Sequence, residues 1–411
     1  MGSHVYTFEV DDGKLADINL FKSFIIGGFE CSTHKPWHGR RIDEIEATQH
    51  DRLAAADYGR LKDAGILTAR DGIRWHLIEQ SASRYDFSTT VPMLHAAEDV
   101  GVQVIWDLCH YGWPDDLDLF DPSFPGRFAR FARAFAHVYK SETDAAPFFA
   151  PINEISFFAW AAGSVGYIYP YGRDKGNELK AQLVRAAIEA IEAVRDVLPD
   201  ARFVHADPVI HVVAEPEHPE QKGAAEAETA LMFQAWDMIA GRRSPELGGD
   251  EKYLDIIGVN FYPHNQWRYG KASWNPADAL PRSHPDYKPL RHILKDVYSR
   301  YRRPLFIAET GAENGQRANW LRYVGREVRA AIRTGVPLEA ICLYPIVNHP
   351  GWDDDRHCHN GLWDYADAEG DREMYSPLAR EVRRQENLNK MLQVRSTTER
   401  DAKKRKRLVT A

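Results

Sequence analysis

Two short runs put a carboxylate at the end of an otherwise apolar stretch. One is "APINEISFFAW" (150–160), where Asn153 and Glu154 stand side by side; the other is "FIAETG" (306–311), which carries Glu309. An unpaired buried carboxylate is costly, so each is solvated at an element's end, paired, or held there for chemistry. Two carboxyls facing one cavity can cleave an acetal: one, with a raised pKa, protonates the leaving oxygen, and the other attacks the anomeric carbon or activates water. Taken singly, either Glu reads equally as half of a structural ion pair. Taken together, with Asn153 and Tyr262 nearby, they favour the catalytic reading.

Such a pair needs elements that bring distant residues to one place. Eight short, nearly continuous apolar runs occur at 24–30, 67–75, 102–110, 147–154, 201–208, 253–262, 303–310 and 338–346, as strands buried on both faces should read. Amphipathic stretches lie between them. Phe128, Phe131, Ala132, Phe135 and Val138 recur at helical spacing, as do Leu179, Leu183, Ala186, Ala190, Ile191, Val194 and Leu198; stretches near 47–64, 90–100, 222–241, 287–302, 316–334 and 374–390 fill the other slots. Eight strands each followed by a helix predict an α/β fold of the (β/α)8 TIM-barrel type. The first strand carries no GxGxxG turn, which disfavours a dinucleotide-binding sheet. Residues 1–20 read as an N-terminal extension, 21–392 as a single barrel catalytic domain, and 393–411 as a basic, disordered tail. The long connections (110–124, 155–176, 262–286, 347–373) all follow strands, the face on which barrels carry chemistry.

Composition narrows the ligand. A net charge of -8 with both signs interspersed creates no field for nucleic acid or membrane, and a small uncharged substrate fits. Many of the eleven Trp fall in stretches read as loops, which suits stacking on sugars as well as ordinary packing. Four Cys without a CxxC pair, no membrane-length apolar stretch and no signal-peptide core lead to the expectation of a cytoplasmic protein with reduced thiols.

At the strand ends the polar residues form a set that core filling would not choose: Glu30, Arg74, His110, Asn153, Glu154, Asp207, Asn260, Tyr262 and Glu309. Here the chain resembles glycoside hydrolase clan A, whose members are retaining (β/α)8 enzymes: "PINE" and "FIAETG" look like its acid/base and nucleophile motifs. "GGFECS", "GIRW", "DLCHYGWP" and "IGVNFYP" resemble family 1 β-glycosidases in particular, with matches running from about residue 24 to 363. The resemblance implies Glu154 as acid/base and Glu309 as nucleophile, oriented and kept ionised by Arg74 and Tyr262. It also implies that Asn153 contacts the sugar 2-hydroxyl and His110 another hydroxyl, with neither metal nor organic cofactor needed.

The chain departs from the family pattern in two places. Family 1 members usually carry Gln where Glu30 stands, and "NHPGWDDDRHCHNGLWDY" after strand eight lacks their Glu and Trp pair. Within that loop, Trp352 or Trp363 would floor the sugar, and Asp353, Asp354 or Asp364 would hold its hydroxyls. His357, Cys358 and His359 offer a metal-site alternative but lack the spacing of a zinc helix; His205, Asp207 and His211 offer another, where a sugar contact or a packed strand end fits better. Trp267 and Trp274 are candidate platforms for the leaving group. The aromatic run 157–172 serves either as a pocket wall or as a surface for a homo-oligomer. The leading expectation is a retaining, exo-acting β-glycosidase on small glycosides or short oligosaccharides. A transglycosidase with the same pair and a non-catalytic sugar-binding barrel are the alternatives.

Overall fold

The computed structural model describes residues 20–271, 277–354 and 356–409. Trp274 and, apart from Leu20, the expected N-terminal extension lie outside them. Eight strands form a closed parallel barrel: β1 (Ile25–Gly28), β2 (Thr68–Gly72), β3 (Gln103–Asp107), β4 (Phe148–Ala150), β5 (Arg202–Pro208), β6 (Ile256–Asn260), β7 (Leu305–Thr310) and β8 (Leu338–Leu343). Each strand pairs with the next in chain order, and Ile25 of β1 pairs with Ile341 of β8 to close the ring. The (β/α)8 architecture is the one the alternating pattern predicts.

Helices α1 (His50–Asp63), α2 (Val91–Val100), α3 (Phe124–Glu142), α4 (Gly176–Arg195), α5 (Lys222–Ala230), α6 (Gln234–Ile239), α7 (Leu290–Tyr301) and α8 (Arg317–Arg333) fill the strand-to-strand connections, and α9 (Ser376–Val409) follows the last strand. The 222–241 stretch is two helices joined by a 3-10 turn. The last helix continues through the basic segment expected to be irregular: with no Pro or Gly and a run of Lys and Arg, that segment has good helix propensity.

Two apolar layers hold the barrel. Inside it, Phe21, Ile26, Ile105, Val204, Phe306 and Cys342 fill the lumen below the site. Outside, the helices bury their stripes on the outward strand residues; Phe128, Phe131 and Phe135 of α3 are fully buried, and Phe135 meets Phe149 of β4 edge-on at 5.8 Å. Truncating Phe135 to Ala would cost about 3–5 kcal/mol. A Cβ at Gly28 would fall 2.3 Å from Tyr344 Cδ2, so glycine there lets the Tyr344 ring stand in the lumen.

The long connections gather over the carboxyl ends of the strands. After β4 comes a short helix (Ile155–Phe158) and a π-helical turn (Ala159–Ser164). His211–Val213 after β5 pairs in parallel with Gln266–Arg268 after β6, tying those loops together. Two small hairpins follow β8. No helix among the described residues is long and apolar enough to cross a membrane.

Candidate active site

β2 runs through the centre of the site. Its alternation turns Arg70 into the lumen and Asp71 outward. Arg70 is fully buried, and all five of its N–H donors are used: Nε and Nη2 donate to Asp107 (3.0 and 2.6 Å), Nη2 to Asn153 Oδ1 (2.6 Å), and Nη1 to Glu309 Oε1 (2.8 Å) and the Ala308 carbonyl (3.2 Å). Tyr262 donates to the other oxygen of Glu309 at 2.9 Å. Glu309 thus accepts a charged and a neutral hydrogen bond, the surroundings of a carboxylate.

Glu154 has different surroundings. Its backbone sits in the left-handed region at φ 43°, as does that of Tyr111 at φ 61°, a conformation L-residues adopt at some cost and one concentrated at functional sites. Tyr111 donates to Glu154 Oε2 at 2.5 Å and Asn260 Nδ2 to Oε1 at 2.8 Å. Burial, followed by the charge of Glu309, raises the Glu154 carboxyl to about 8 despite these two donors. The turn that carries it is pinned by Asp207, which accepts from the Ser156 amide and hydroxyl at 3.1 and 2.8 Å. Burial outweighs those bonds and the pull of Lys180, lifting Asp207 to about 7.

A cavity of about 620 Å³ opens above these groups. Of the predicted residues, Glu30, His110, Glu154, Tyr262, Trp267, Glu309 and Trp352 line it; Asn153, Asp207 and Asn260 stand behind that lining. Asn153 gives both amide hydrogens to neighbours, His110 Nε2 at 2.9 Å and Tyr111 Oη at 3.0 Å. Only a lone pair of its oxygen is left for a sugar hydroxyl. His110 faces Asp107 through Nδ1 at 2.8 Å, which fits the tautomer whose Nε2 accepts from Asn153. Glu30 accepts from the Ser32 amide; burial alone would raise its carboxyl, but the neighbouring His110 and His349 leave it below the usual value. Trp352 stands against Tyr111 and Phe157 at 5.3 and 6.0 Å, an aromatic wall partly drawn from the 157–172 run.

Several expectations are corrected. Arg74 does not reach Glu309: β2 ends at Gly72, and Arg74, leading into the short helix Trp75–Ile78, turns away to pair with Asp51 at 3.2 Å and Asp43 at 3.6 Å. Arg70 supplies the guanidinium instead. Trp363 is core, 3% exposed, rather than a sugar floor. The acidic candidates of the last loop also point elsewhere, Asp353 to Tyr167, Asp354 to Arg356 and Asp364 to Asn348. His357 stacks on Tyr365 and His359 lies near Asn348. Cys31, Asp107 and His110 form a buried group whose ligand atoms are close enough for a metal, but both oxygens of Asp107 are already held by Arg70.

Sequence reasoning missed Arg70, Tyr111 and Tyr344. Arg70 shares parity with Arg74 in "TARDGIRW", so only the point where the strand ends separates them. Tyr111 directly follows His110, and its left-handed backbone leaves no mark in the sequence.

No family model matches the chain, and no curated protein matches it. Solved structures do. A family 1 β-glucosidase from Thermotoga maritima aligns with a TM-score of 0.66 at 17% identity, covering 82% of this chain and 86% of that one. A β-glucosidase from the same organism in complex with deoxynojirimycin aligns with a TM-score of 0.69 at 16% identity, over 88% of this chain and 97% of that one; a complex with glucoimidazole gives the same figures. At this identity the likeness is one of fold, a (β/α)8 barrel of the β-glucosidase type.

Proposed function

We propose that this chain is a retaining β-glycosidase that acts on small β-glycosides or short oligosaccharides from the non-reducing end. One observation carries the reading: two carboxyl groups line one cavity in opposite surroundings, Glu309 between Arg70 and Tyr262, and Glu154 desolvated and raised toward the protonated form. In the first step a Glu309 oxygen attacks the anomeric carbon while Glu154 delivers its proton to the leaving oxygen. Forming the glycosyl ester removes the charge of Glu309, one of the two main causes of Glu154's raised pKa. Glu154, ionised since giving up its proton and with its pKa lowered now that charge is gone, takes a proton from water as the water attacks the anomeric carbon, and the ester bond to Glu309 breaks to return the carboxylate. Asn153 positions Tyr111, which orients Glu154; Arg70 and Asp107 orient Glu309. The solved structures of similar fold are β-glucosidases in complex with deoxynojirimycin and with glucoimidazole, which agrees with a glycoside ligand here.

Incubation with activated 2-deoxy-2-fluoro β-glycosides, followed by intact mass and peptide mapping, tests this directly. The expected result is one added glycosyl mass on the peptide carrying Glu309, with the fastest-labelling sugar indicating the glycone. Label on another carboxylate, or no label with any sugar, overturns the assignment.

A further inference from the structure

The cavity wall also contains a charge that the glycosidic chemistry does not use. Lys180, in the second turn of α4, is only 8% exposed and lines the cavity, yet its sole hydrogen-bond partner among the described residues is the neutral side-chain carbonyl of Gln234, at 3.0 Å. No carboxylate of the described residues pairs with it. A buried ammonium with two of three donors unfilled and no counter-ion is costly to maintain. Asp207 is close enough to act on it electrostatically, but its oxygens are engaged by Ser156, and burial has lifted its carboxyl to about 7. Burial and the nearby Arg243 lower the proton affinity of Lys180, as expected of a cation waiting for an anion.

The amino end of α4 is on the same wall. Gly176 and Asn177 line the cavity with Lys180; this helix of 20 residues has no side-chain cap, and the amides of Gly176, Asn177 and Glu178 have no acceptor among the described residues. A helix start in that state favours negative charge. A Cβ at Gly176 would lie 1.9 Å from Ser164 Oγ, so glycine is what allows that hydroxyl, a further donor lining the cavity, to sit against the turn. Around these groups Trp160, Ile210, Met232 and Trp267 make the wall apolar. The one acidic residue of that wall, Glu228, accepts from Trp267 Nε1 at 3.3 Å and is raised by burial.

We infer that this wall of the cavity receives an apolar leaving group bearing an anionic substituent, a carboxylate or a phosphate, which docks on Lys180, the Ser164 hydroxyl and the amino end of α4. The inference rests on the glycosidase reading for its word "leaving group", but the docking site can be measured without turnover.

Calorimetry on the full chain would compare 4-hydroxybenzoate and phenyl phosphate with neutral 4-hydroxybenzamide. At least one anion should bind about tenfold more tightly than the amide, the factor a charged hydrogen bond supplies, and Lys180→Met should abolish that preference while Lys180→Arg retains most of it. Whichever anion is preferred identifies the substituent. Equal binding of all three compounds, or a preference that survives in K180M, overturns the proposal. A parallel comparison of kcat/KM for 4-carboxyphenyl, 4-phosphonooxyphenyl and 4-carbamoylphenyl β-glycosides of one sugar should show the same ratio, with leaving-group electronics cancelling between wild type and K180M. Tight anion binding without cleavage of any glycoside would leave the docking site standing and remove the glycosidase reading. Cleavage without anion preference would do the reverse.

Discussion

Arg70 and Asp71 are neighbours on one strand, and each anchors a buried charge network on its own side of the barrel wall. Asp71, facing outward, accepts from His50 Nε2 at 2.8 Å and from Tyr58 at 2.6 Å; His50 Nδ1 in turn meets Asp57 at 2.9 Å, which Arg372 grips through Nε at 2.8 Å and Nη2 at 3.0 Å. His50, Asp57 and Asp71 are all at most 2% exposed, and none lines the cavity. Burial alone would lower His50, but Asp71 and Asp57 together raise it to about 9; burial would raise Asp57, but His50 and Arg372 bring it to about 2. Every charge there is answered by protein. On the Arg70 side the guanidinium is equally saturated, yet Glu309 and Glu154 keep a side toward open space. A strongly perturbed buried group is therefore no mark of a site by itself; a perturbed group with a face on a cavity is.

The largest way to separate the networks is Glu309→Gln, which should lower kcat/KM by roughly 10⁴-fold or more while leaving the melting temperature close to wild type. Loss of folding instead would make Glu309 a structural partner of Arg70. Arg70→Met should do both kinds of damage, costing about 3–5 kcal/mol in urea unfolding because Asp107 and Glu309 lose their counter-charge, with activity falling as well. A stable, active R70M would show that the two carboxylates find other partners. On the pH axis, a general acid raised to about 8 must be protonated to work, so kcat/KM should fall as pH rises through about 8, and Glu154→Gln should remove that limb.

The outer network should respond in stability alone. His50→Gln should cost about 1–3 kcal/mol, with kcat/KM per folded molecule unchanged. Because the folded protein holds the His50 proton more tightly than the ordinary value of 6.5, the stability it contributes is complete below that pH and lost as pH rises through about 9. Urea midpoints of wild type should decline across that window and those of H50Q should decline less; parallel curves would mean His50 is not the titrating group. The smallest effect belongs to Arg74→Met, where kcat/KM should stay near wild type, since Arg74 pairs with Asp43 and Asp51 away from the cavity. A loss as large as that of R70M would return the Glu309 contact to Arg74.

Sequence alone specifies the barrel, because continuous apolar runs alternating with amphipathic stretches have few other ways to bury both faces of a parallel sheet. It also specifies that Glu30, His110, Glu154, Tyr262 and Glu309 stand near strand ends, since a run of apolar residues stops where the chain meets solvent or ligand. Which side chains meet follows instead from the assembled fold. Arg70 and Arg74 have the same parity and differ in whether the strand still holds them; Trp363 and Trp352 share a loop and differ in which one the hairpins fold inward. Lys180 reads as an ordinary polar position on an amphipathic helix until α4 is seen to begin at the cavity wall. Sequence spacing specifies the face of an element, whereas contact across the barrel depends on where each element ends and how its neighbours turn, and those are properties of the assembled chain.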